Sequence, residues 1–138
     1  MTSSGALTDR YFRSAGASPV SAEATDLAVR HFELIDAGDM AGMAELFQAD
    51  AVYRRPGYPP FVGRAEILRF YTTLRPIRSG RHSLETALAG GGQIAVRGGF
   101  VGVRYDDAPI DLRFSDFFTL GSDGRFTGRE TYFFAPSI

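Results

Sequence analysis

Residues 111–120 read DLRFSDFFTL and residues 126–134 read FTGRETYFF, with a GSDG segment at 121–124 between them. In the first segment the apolar side chains occupy mainly even positions and most odd positions are polar, which is the period of a strand with one buried face. The GSDG segment is typical of a tight turn. Residues 110–134 are therefore predicted to form an antiparallel hairpin with one apolar face.

An acidic residue interrupts this apolar face on each predicted strand. The even positions of the returning strand are Phe126, Gly128, Glu130, Tyr132 and Phe134. The register that closes the turn most simply places Leu120 opposite Phe126, and the same register places Asp116 opposite Glu130. Directly opposed side chains have Cβ atoms about 4.5–5.5 Å apart, so the two carboxylates are predicted to meet on the buried face.

Two carboxylates this close on an apolar surface would share a proton, because burial and mutual repulsion disfavour two charges. One acid could then donate a proton while the other accepts one, which indicates an acid–base site. The alternative is a structural ion pair in which Arg113 or Arg129 neutralises the acids. Both arginines occupy odd positions, however, so they are predicted on the opposite face of the hairpin.

The composition favours a single globular domain. The chain has 138 residues, 44% of them hydrophobic, and its 12 Phe and 6 Tyr residues can fill a sizeable core. The formal charge of −1 and the absence of a basic run argue against nucleic acid or a membrane as partner. The absence of cysteine excludes disulfides and thiolate chemistry. No signal peptide or membrane-spanning run is apparent, so a cytoplasmic protein is expected.

Three helices are predicted before the sheet. Residues 1–17 are predicted to be a loose arm, and a domain over 18–138 follows. Ser18 and Pro19 open a first helix that Gly38 ends, and its apolar face contains His31. A lone histidine on such a face is more often a core residue than a catalyst. Further helices are predicted over residues 40–48 and 63–75.

The strands of the predicted sheet begin at residue 51. By parity, either Tyr53 and Arg55 or Val52 and Arg54 face inward. Strands over 82–88 and 93–105 follow, and Gly98-Gly99 in the second is predicted to form a bulge that could switch which side chains point inward. Helices followed by a meander of strands indicate an α+β domain whose curved sheet wraps the helices and leaves a pocket. No metal-binding spacing or phosphate loop is present, so neither a metal nor another cofactor is predicted.

At this point the sequence resembles a known superfamily. Residues 31–39, which read HFELIDAGD, and the helix over 63–71 are similar to the first half of ketosteroid isomerase and the wider nuclear transport factor 2-like superfamily. Residues 113–118 (RFSDFF) and 128–133 (GRETYF) resemble SnoaL-type polyketide cyclases and limonene-type epoxide hydrolases. The resemblance implies a cone-shaped α+β barrel, with three helices packed in a curved, mostly antiparallel sheet that encloses a pocket.

The resemblance also implies roles for individual residues. Asp116 matches the protonated oxyanion-hole aspartate of the isomerase. Glu130 falls where the cyclases and epoxide hydrolases keep a catalytic aspartate, and His31 occupies the position of the isomerase's oxyanion-hole tyrosine. The isomerase's proton-shuttling aspartate is replaced by Arg55, which excludes the steroid-type shuttle. The strand over 93–105 lacks the Arg-x-Asp of the epoxide hydrolases, which disfavours epoxide hydrolysis.

The expected function is therefore a cofactor-independent cyclase or isomerase that acts on an apolar oxygenated molecule, such as a polyketide-like or terpenoid-like intermediate of antibiotic biosynthesis. Glu130 would be the general base, with Asp116 and His31 as donors to the oxyanion. Arg55 or Tyr53 would orient the substrate, and the apolar wall would comprise Phe114, Phe118 and Tyr132. The resemblance also implies a homodimer. The alternatives are an epoxide hydrolase or epoxide-opening ether cyclase, and a non-catalytic binding or dimerisation module.

Overall fold

The computed structural model describes residues 21–136. Its helices are α1 (Ser21–Asp36), α2 (Met40–Ala44) and α3 (Arg64–Arg69), and α3 continues into a π-helical turn at Phe70–Leu74. Its strands are β1 (Phe47–Arg54), β2 (Phe61–Val62), β3 (Ile77–Gly90), β4 (Gln93–Arg104), β5 (Pro109–Leu120) and β6 (Phe126–Phe133). The predicted arm over 1–17 and the predicted helix start at Ser18 and Pro19 lie outside the described residues.

The helices follow the predicted apolar spacing. Ala28, Phe32 and Ile35 of α1 are buried along one face, and Gly38 follows the helix with a φ of +79°. The Asp39 side chain then caps α2 by accepting the Gly42 N–H at 2.8 Å, as predicted. Helix α2 is shorter than predicted, because Phe47 already belongs to β1, where it pairs with Phe126 of β6.

The six strands form one sheet in the order β2-β1-β6-β5-β4-β3. The pairing of β1 with β6 is parallel and the other pairings are antiparallel. The sheet curls around the helices without closing, since β2 and β3 remain its edges. The predicted α+β cone is therefore confirmed. Among residues 21–136, no helix combines the length and the apolar character needed to cross a bilayer.

The irregularity expected at Gly98-Gly99 occurs on the neighbouring strand. The register between β3 and β4 shifts between Leu84 and Thr86, while the register between β4 and β5 runs without interruption through Gly98. A Cβ atom on Gly98 would lie 2.1 Å from the Ser83 carbonyl oxygen, so glycine permits the close approach of β3. The inward-facing side chains of β4 therefore stay at even positions along the whole strand, and Ile94, Val96 and Phe100 are all buried.

The hairpin of β5 and β6 closes as predicted but continues in a different register. Leu120 lies opposite Phe126, yet the next pair is Thr119 with Gly128, which leaves Thr127 as an extra residue on β6. Beyond this bulge, Phe117 lies opposite Glu130 and Asp116 opposite Thr131. The predicted pairing of Asp116 with Glu130 is therefore wrong, because one extra residue turns the following side chains to the other face.

Candidate active site

A cavity lies on the inner face of the sheet near the end of β1. Its polar lining consists of Arg55, Arg75, His82, Asp116, Arg129 and Thr131, and its apolar lining consists of Ile77, Phe100, Leu112, Phe114 and Phe133. Its volume of about 20 Å³ holds little more than one water molecule. A larger ligand must therefore displace side chains of the lining.

A wider depression of about 420 Å³ lies on the outer face of the sheet. Glu130 and Tyr132 belong to this depression, where the Tyr132 hydroxyl donates to Glu130 Oε2 at 2.6 Å. Tyr132 is 50% exposed, and neither residue lines the inner cavity. The bulge at Thr127 is the reason for this placement, since it turns Arg129 and Thr131 inward instead. The structure thus separates Glu130 and Tyr132 from the other predicted site residues.

Asp116 is fully buried, and both of its carboxylate oxygens accept hydrogen bonds. Arg129 Nη2 donates to Oδ2 at 2.9 Å, and the Thr131 hydroxyl donates to Oδ1. Burial alone would lower the pKa of Arg129, but the Asp116 carboxylate and the Tyr53 and Tyr71 hydroxyls raise it well above its ordinary value. Arg129 therefore stays charged, and the two residues form a buried ion pair.

A chain of hydrogen bonds reaches Asp116 from the end of β1. Arg55 Nη1 donates to the Tyr53 hydroxyl at 3.3 Å, and the Tyr53 and Thr131 hydroxyls are 3.1 Å apart. Because Thr131 uses its only hydrogen on Asp116, Tyr53 is the donor to Thr131. Burial raises the pKa of Tyr53, which keeps this hydrogen in place. Of the two alternatives for β1, the structure thus selects Tyr53 and Arg55 as the inward pair.

His31 lies behind the cavity and does not line it. Its ring is enclosed by the aromatic side chains of Phe32, Phe47, Phe118 and Phe126. Burial, followed by the charge of Arg129, holds its pKa well below the usual value. The neutral ring accepts from Arg129 Nη1 through Nε2 at 3.3 Å. His31 therefore supports the ion pair, and only Phe114 of the three predicted wall residues lines the cavity.

His82 is the cavity residue with the arrangement of a general base, and its role was not predicted. Its Nδ1 lies 2.6 Å from Asp36 Oδ1, and its backbone N–H donates to Asp36 Oδ2 at 2.9 Å. Phe32 and Phe100 pack on the ring at centroid distances of 4.8 and 4.6 Å. These contacts orient the imidazole, so that Nδ1 carries the hydrogen shared with Asp36 and Nε2 keeps its lone pair.

The protonation of His82 suits that arrangement. Burial lowers its pKa, and the opposing effect of Asp36 does not restore the usual value. The ring is therefore neutral at pH 7 and can accept a proton. No spacing rule could have paired Asp36 with His82, since they are 46 residues apart in the sequence. The available signal was the even position of His82 on the predicted strand over 82–88, which places its side chain on the same face as Leu84 and Leu88.

Two further residues near the cavity come from the turn after α3. The Arg75 N–H donates to the Phe70 carbonyl at 2.8 Å, a five-residue step that marks the π-helical turn. This turn buries Tyr71 and brings Arg75 into the cavity lining. Burial would raise the pKa of Tyr71, but the positive charges of Arg129, Arg75 and Arg55 lower it overall.

Residues 21–136 contain no group of three or more His, Asp or Glu side chains placed to hold a metal ion. The described residues of the cavity offer a neutral imidazole at His82 and the hydrogen-bond donors of its arginines.

Solved structures of similar shape place this geometry among known folds. SalBIII, an epoxide hydrolase/cyclase-like enzyme in pyran ring formation in the polyether salinomycin, is 17% identical, with a TM-score of 0.71 over 80% of this chain and 90% of its own. A protein of Jannaschia sp. CCS1 described as a SnoaL-like polyketide cyclase is 15% identical, with a TM-score of 0.74 over 87% and 91%. An LEH-like epoxide hydrolase of M. tuberculosis is 16% identical, with a TM-score of 0.73 over 83% and 85%.

At these identities the likeness shows a shared fold and leaves the reaction open. The sequence itself matches the model of the SnoaL-like domain over residues 28–129, a range that includes both histidines, Asp116 and Arg129. The chain belongs to the family of SnoaL-like domains, within the nuclear transport factor 2-like superfamily.

Proposed function

We propose that this protein is a cofactor-independent enzyme in which His82 acts as general base on an oxygenated small molecule, in an isomerising or ring-forming step. The observation that carries the proposal is the imidazole of His82, which Asp36 orients at 2.6 Å at the edge of a cavity rich in hydrogen-bond donors. An oriented, neutral histidine beside such donors is the arrangement that proton abstraction requires.

The reaction would proceed by a balanced proton transfer. Nε2 of His82 takes a proton from an acidic carbon or a hydroxyl group of the substrate, and the electron pair of the broken bond moves onto the substrate's oxygen. The imidazolium is stabilised by the Asp36 carboxylate, while arginine N–H groups of the cavity stabilise the oxyanion. Return of the proton from His82 to another atom of the substrate completes an isomerisation. In a ring closure, the activated oxygen or carbon attacks a carbonyl carbon of the same substrate, and the carbonyl oxygen takes the electron pair of the C=O π bond and then the proton from His82.

This proposal moves the base from Glu130, where the sequence resemblance placed it, to His82. Glu130 is on the outer face with Tyr132 and cannot reach a molecule in the inner cavity. Asp116 does line the cavity, but its oxygens are engaged by Arg129 and Thr131. Its role in this mechanism is to hold Arg129 in place.

A second candidate reaction is the opening of an epoxide, and the chain of hydrogen bonds that ends at Asp116 favours it. The Asp116 carboxylate has lone pairs left beside those used by Arg129 and Thr131, so it could take a proton from a water molecule or a substrate hydroxyl. The oxygen of that water molecule or hydroxyl would then attack an epoxide carbon, whose C–O bond breaks to give an alkoxide. An arginine N–H group stabilises the alkoxide, which takes the proton back from Asp116. Under this alternative, Asp116→Asn would abolish turnover and His82→Gln would not.

Hydrogen–deuterium exchange tests the main proposal. The protein is incubated in D2O with cyclohexanone, whose α-carbon exchanges slowly in buffer at pH 7, and exchange at that carbon is followed by proton NMR. We expect exchange above the buffer rate and a loss of at least about 10²-fold in His82→Gln, as for a positioned base. Arg81→Gln, an exposed neighbour on β3, is the matched control. Undiminished exchange in His82→Gln would remove His82 from the mechanism.

A further inference from the structure

The charges that line the cavity are not balanced. Arg55, Arg75 and Arg129 line it together with a single carboxylate, Asp116. Asp116 is engaged by Arg129 at 2.9 Å. Among the ion pairs of residues 21–136, none includes Arg55 or Arg75. Two positive charges of the lining are thus left without an acidic partner in the described part of the chain.

These two guanidinium groups are held in place by aromatic rings. Arg55 is 8% exposed, and its guanidinium lies 5.2 Å from the ring centroids of both Phe70 and Phe133. Arg75 lies 5.0 Å from the ring centroid of Tyr71. Stacking on rings fixes the plane of a guanidinium and leaves its edge for a planar, bidentate partner.

Each of the two groups also has an unused donor. The Nε atoms of Arg55 and Arg75 are buried and have no hydrogen-bond acceptor in the described part of the chain, and the same holds for Nε of Arg129, whose charge Asp116 already balances. Buried donors are almost always satisfied in native proteins, so such donors at one cavity indicate an acceptor that binds there. Burial and the charge of nearby Arg55 lower the pKa of Arg75, and a bound anion would offset that repulsion.

We propose that the cavity binds its small-molecule ligand through a carboxylate group held by Arg55 and Arg75, with the apolar part of the ligand against Phe100 and Phe114. This inference rests on the proposed function in taking the cavity as the substrate site, and it names the substrate class as an apolar carboxylic acid. A planar carboxylate matches the edge of a guanidinium, and side chains of the lining must move to admit the rest of the ligand, because the cavity itself has a volume of about 20 Å³.

The test is a titration of the full chain with benzoate and with benzamide, its neutral isostere. Binding is followed through the arginine Nε–H signals in two-dimensional NMR, which report on the two unused donors directly. We expect benzoate to bind at least about tenfold more tightly than benzamide, the range expected for a hydrogen bond to a charged group. Equal affinities for the two probes would overturn the proposal, and tighter binding of phenyl phosphate than of benzoate would overturn the assignment to a carboxylate.

Substitutions locate the site. Arg55→Met and Arg75→Met keep the stacked side-chain stem and remove the charge, so each should weaken benzoate binding by about tenfold or more. Arg78→Gln is the control, because Arg78 pairs with Asp107 at 2.8 Å and does not line the cavity. Benzoate affinity unchanged in both methionine variants would overturn the proposal. If a variant does not fold, the proposal is judged only by the relative affinities of benzoate and benzamide for the unmodified protein.

The outcome is separable from that of the proposed function. The titration measures binding without turnover, so a protein that prefers benzoate but exchanges no protons keeps the carboxylate site and loses the enzyme. A protein that exchanges protons and binds both probes equally gives the reverse result.

Discussion

Asp36, the last residue of α1, contacts His82 of β3 twice, through Nδ1 at 2.6 Å and through the backbone N–H at 2.9 Å. The two contacts fix both the position of the strand and the orientation of the ring. A neutral imidazole held in this way presents Nε2 in a single direction, which is the geometric requirement for a general base.

Substitution of Asp36 by Asn should therefore lower turnover without preventing folding. The amide no longer stabilises the imidazolium, and we expect kcat to fall by about 10²- to 10⁴-fold. The pKa of His82 should also fall, because Asp36 is the group that raises it against burial. An NMR titration of the His82 ring checks this shift, with Asp26→Asn on the exposed face of the same helix as control. An unchanged His82 titration would contradict the role given to Asp36.

Stability should decrease as the pH falls, because His31 is buried in its neutral form. Its folded-state pKa lies well below the ordinary value of about 6.5, so the unfolded chain binds a proton that the folded chain does not. Stability is fully present above pH 6.5 and is lost as the pH falls toward the folded-state pKa. Urea unfolding between pH 7.5 and 5 measures the slope.

His31→Gln keeps an acceptor for Arg129 but does not titrate, so its stability should depend less on pH than that of the unmodified protein. His82→Gln should also reduce the slope, since the pKa of His82 is lowered in the same direction. A slope that is unchanged in both variants would show that neither histidine carries the effect.

Breaking the buried ion pair should cost far more stability than neutralising Glu130, the half-buried acid opposite Phe117 on the outer face. Asp116→Asn leaves the Arg129 guanidinium buried without its carboxylate, for which we expect about 3–5 kcal/mol. Glu130→Gln changes the free energy of unfolding by about 0.5 kcal/mol or less, because Glu130 lies on the outer face. Urea denaturation of both variants checks the difference. A gain in stability in Asp116→Asn would mean that the carboxylate is strained rather than structural.

We propose that the protein forms a homodimer through the outer face of the sheet. Phe117 and Tyr132 are 45% and 50% exposed there, with ring centroids 5.8 Å apart. Phe117→Asp should convert the dimer to a monomer, as measured by light scattering during gel filtration. Val62→Asp, at an exposed apolar position on the short edge strand β2, should leave the dimer intact. A monomeric unmodified protein would contradict the expectation.

The sequence was sufficient for the elements that depend on local periodicity. Apolar residues three or four positions apart predict the buried face of α1, and apolar residues two positions apart predict the buried even face of β5. Both faces are confirmed, as is the cap at Asp39. The first pair of the last hairpin, Leu120 with Phe126, is confirmed for the same reason, since the turn sequence determines it.

The candidate site could not be predicted in the same way, because it depends on contacts between distant segments. Asp36 and His82 meet only after β3 has packed against α1. Parity alone predicts Arg129 on the outer face, whereas the structure shows the alternative in which Arg129 neutralises Asp116. Gly128 next to Thr127 was the available signal for the bulge, since glycine within a strand often marks one.

Because the bulge at Thr127 determines which residues of the rest of β6 face inward, transferring residue roles between relatives along this strand depends on whether they share the bulge. A homologue with the same number of residues but no bulge would carry the residue equivalent to Glu130 inward, where this protein carries Arg129, so identical letters in an alignment would describe opposite sides of the sheet.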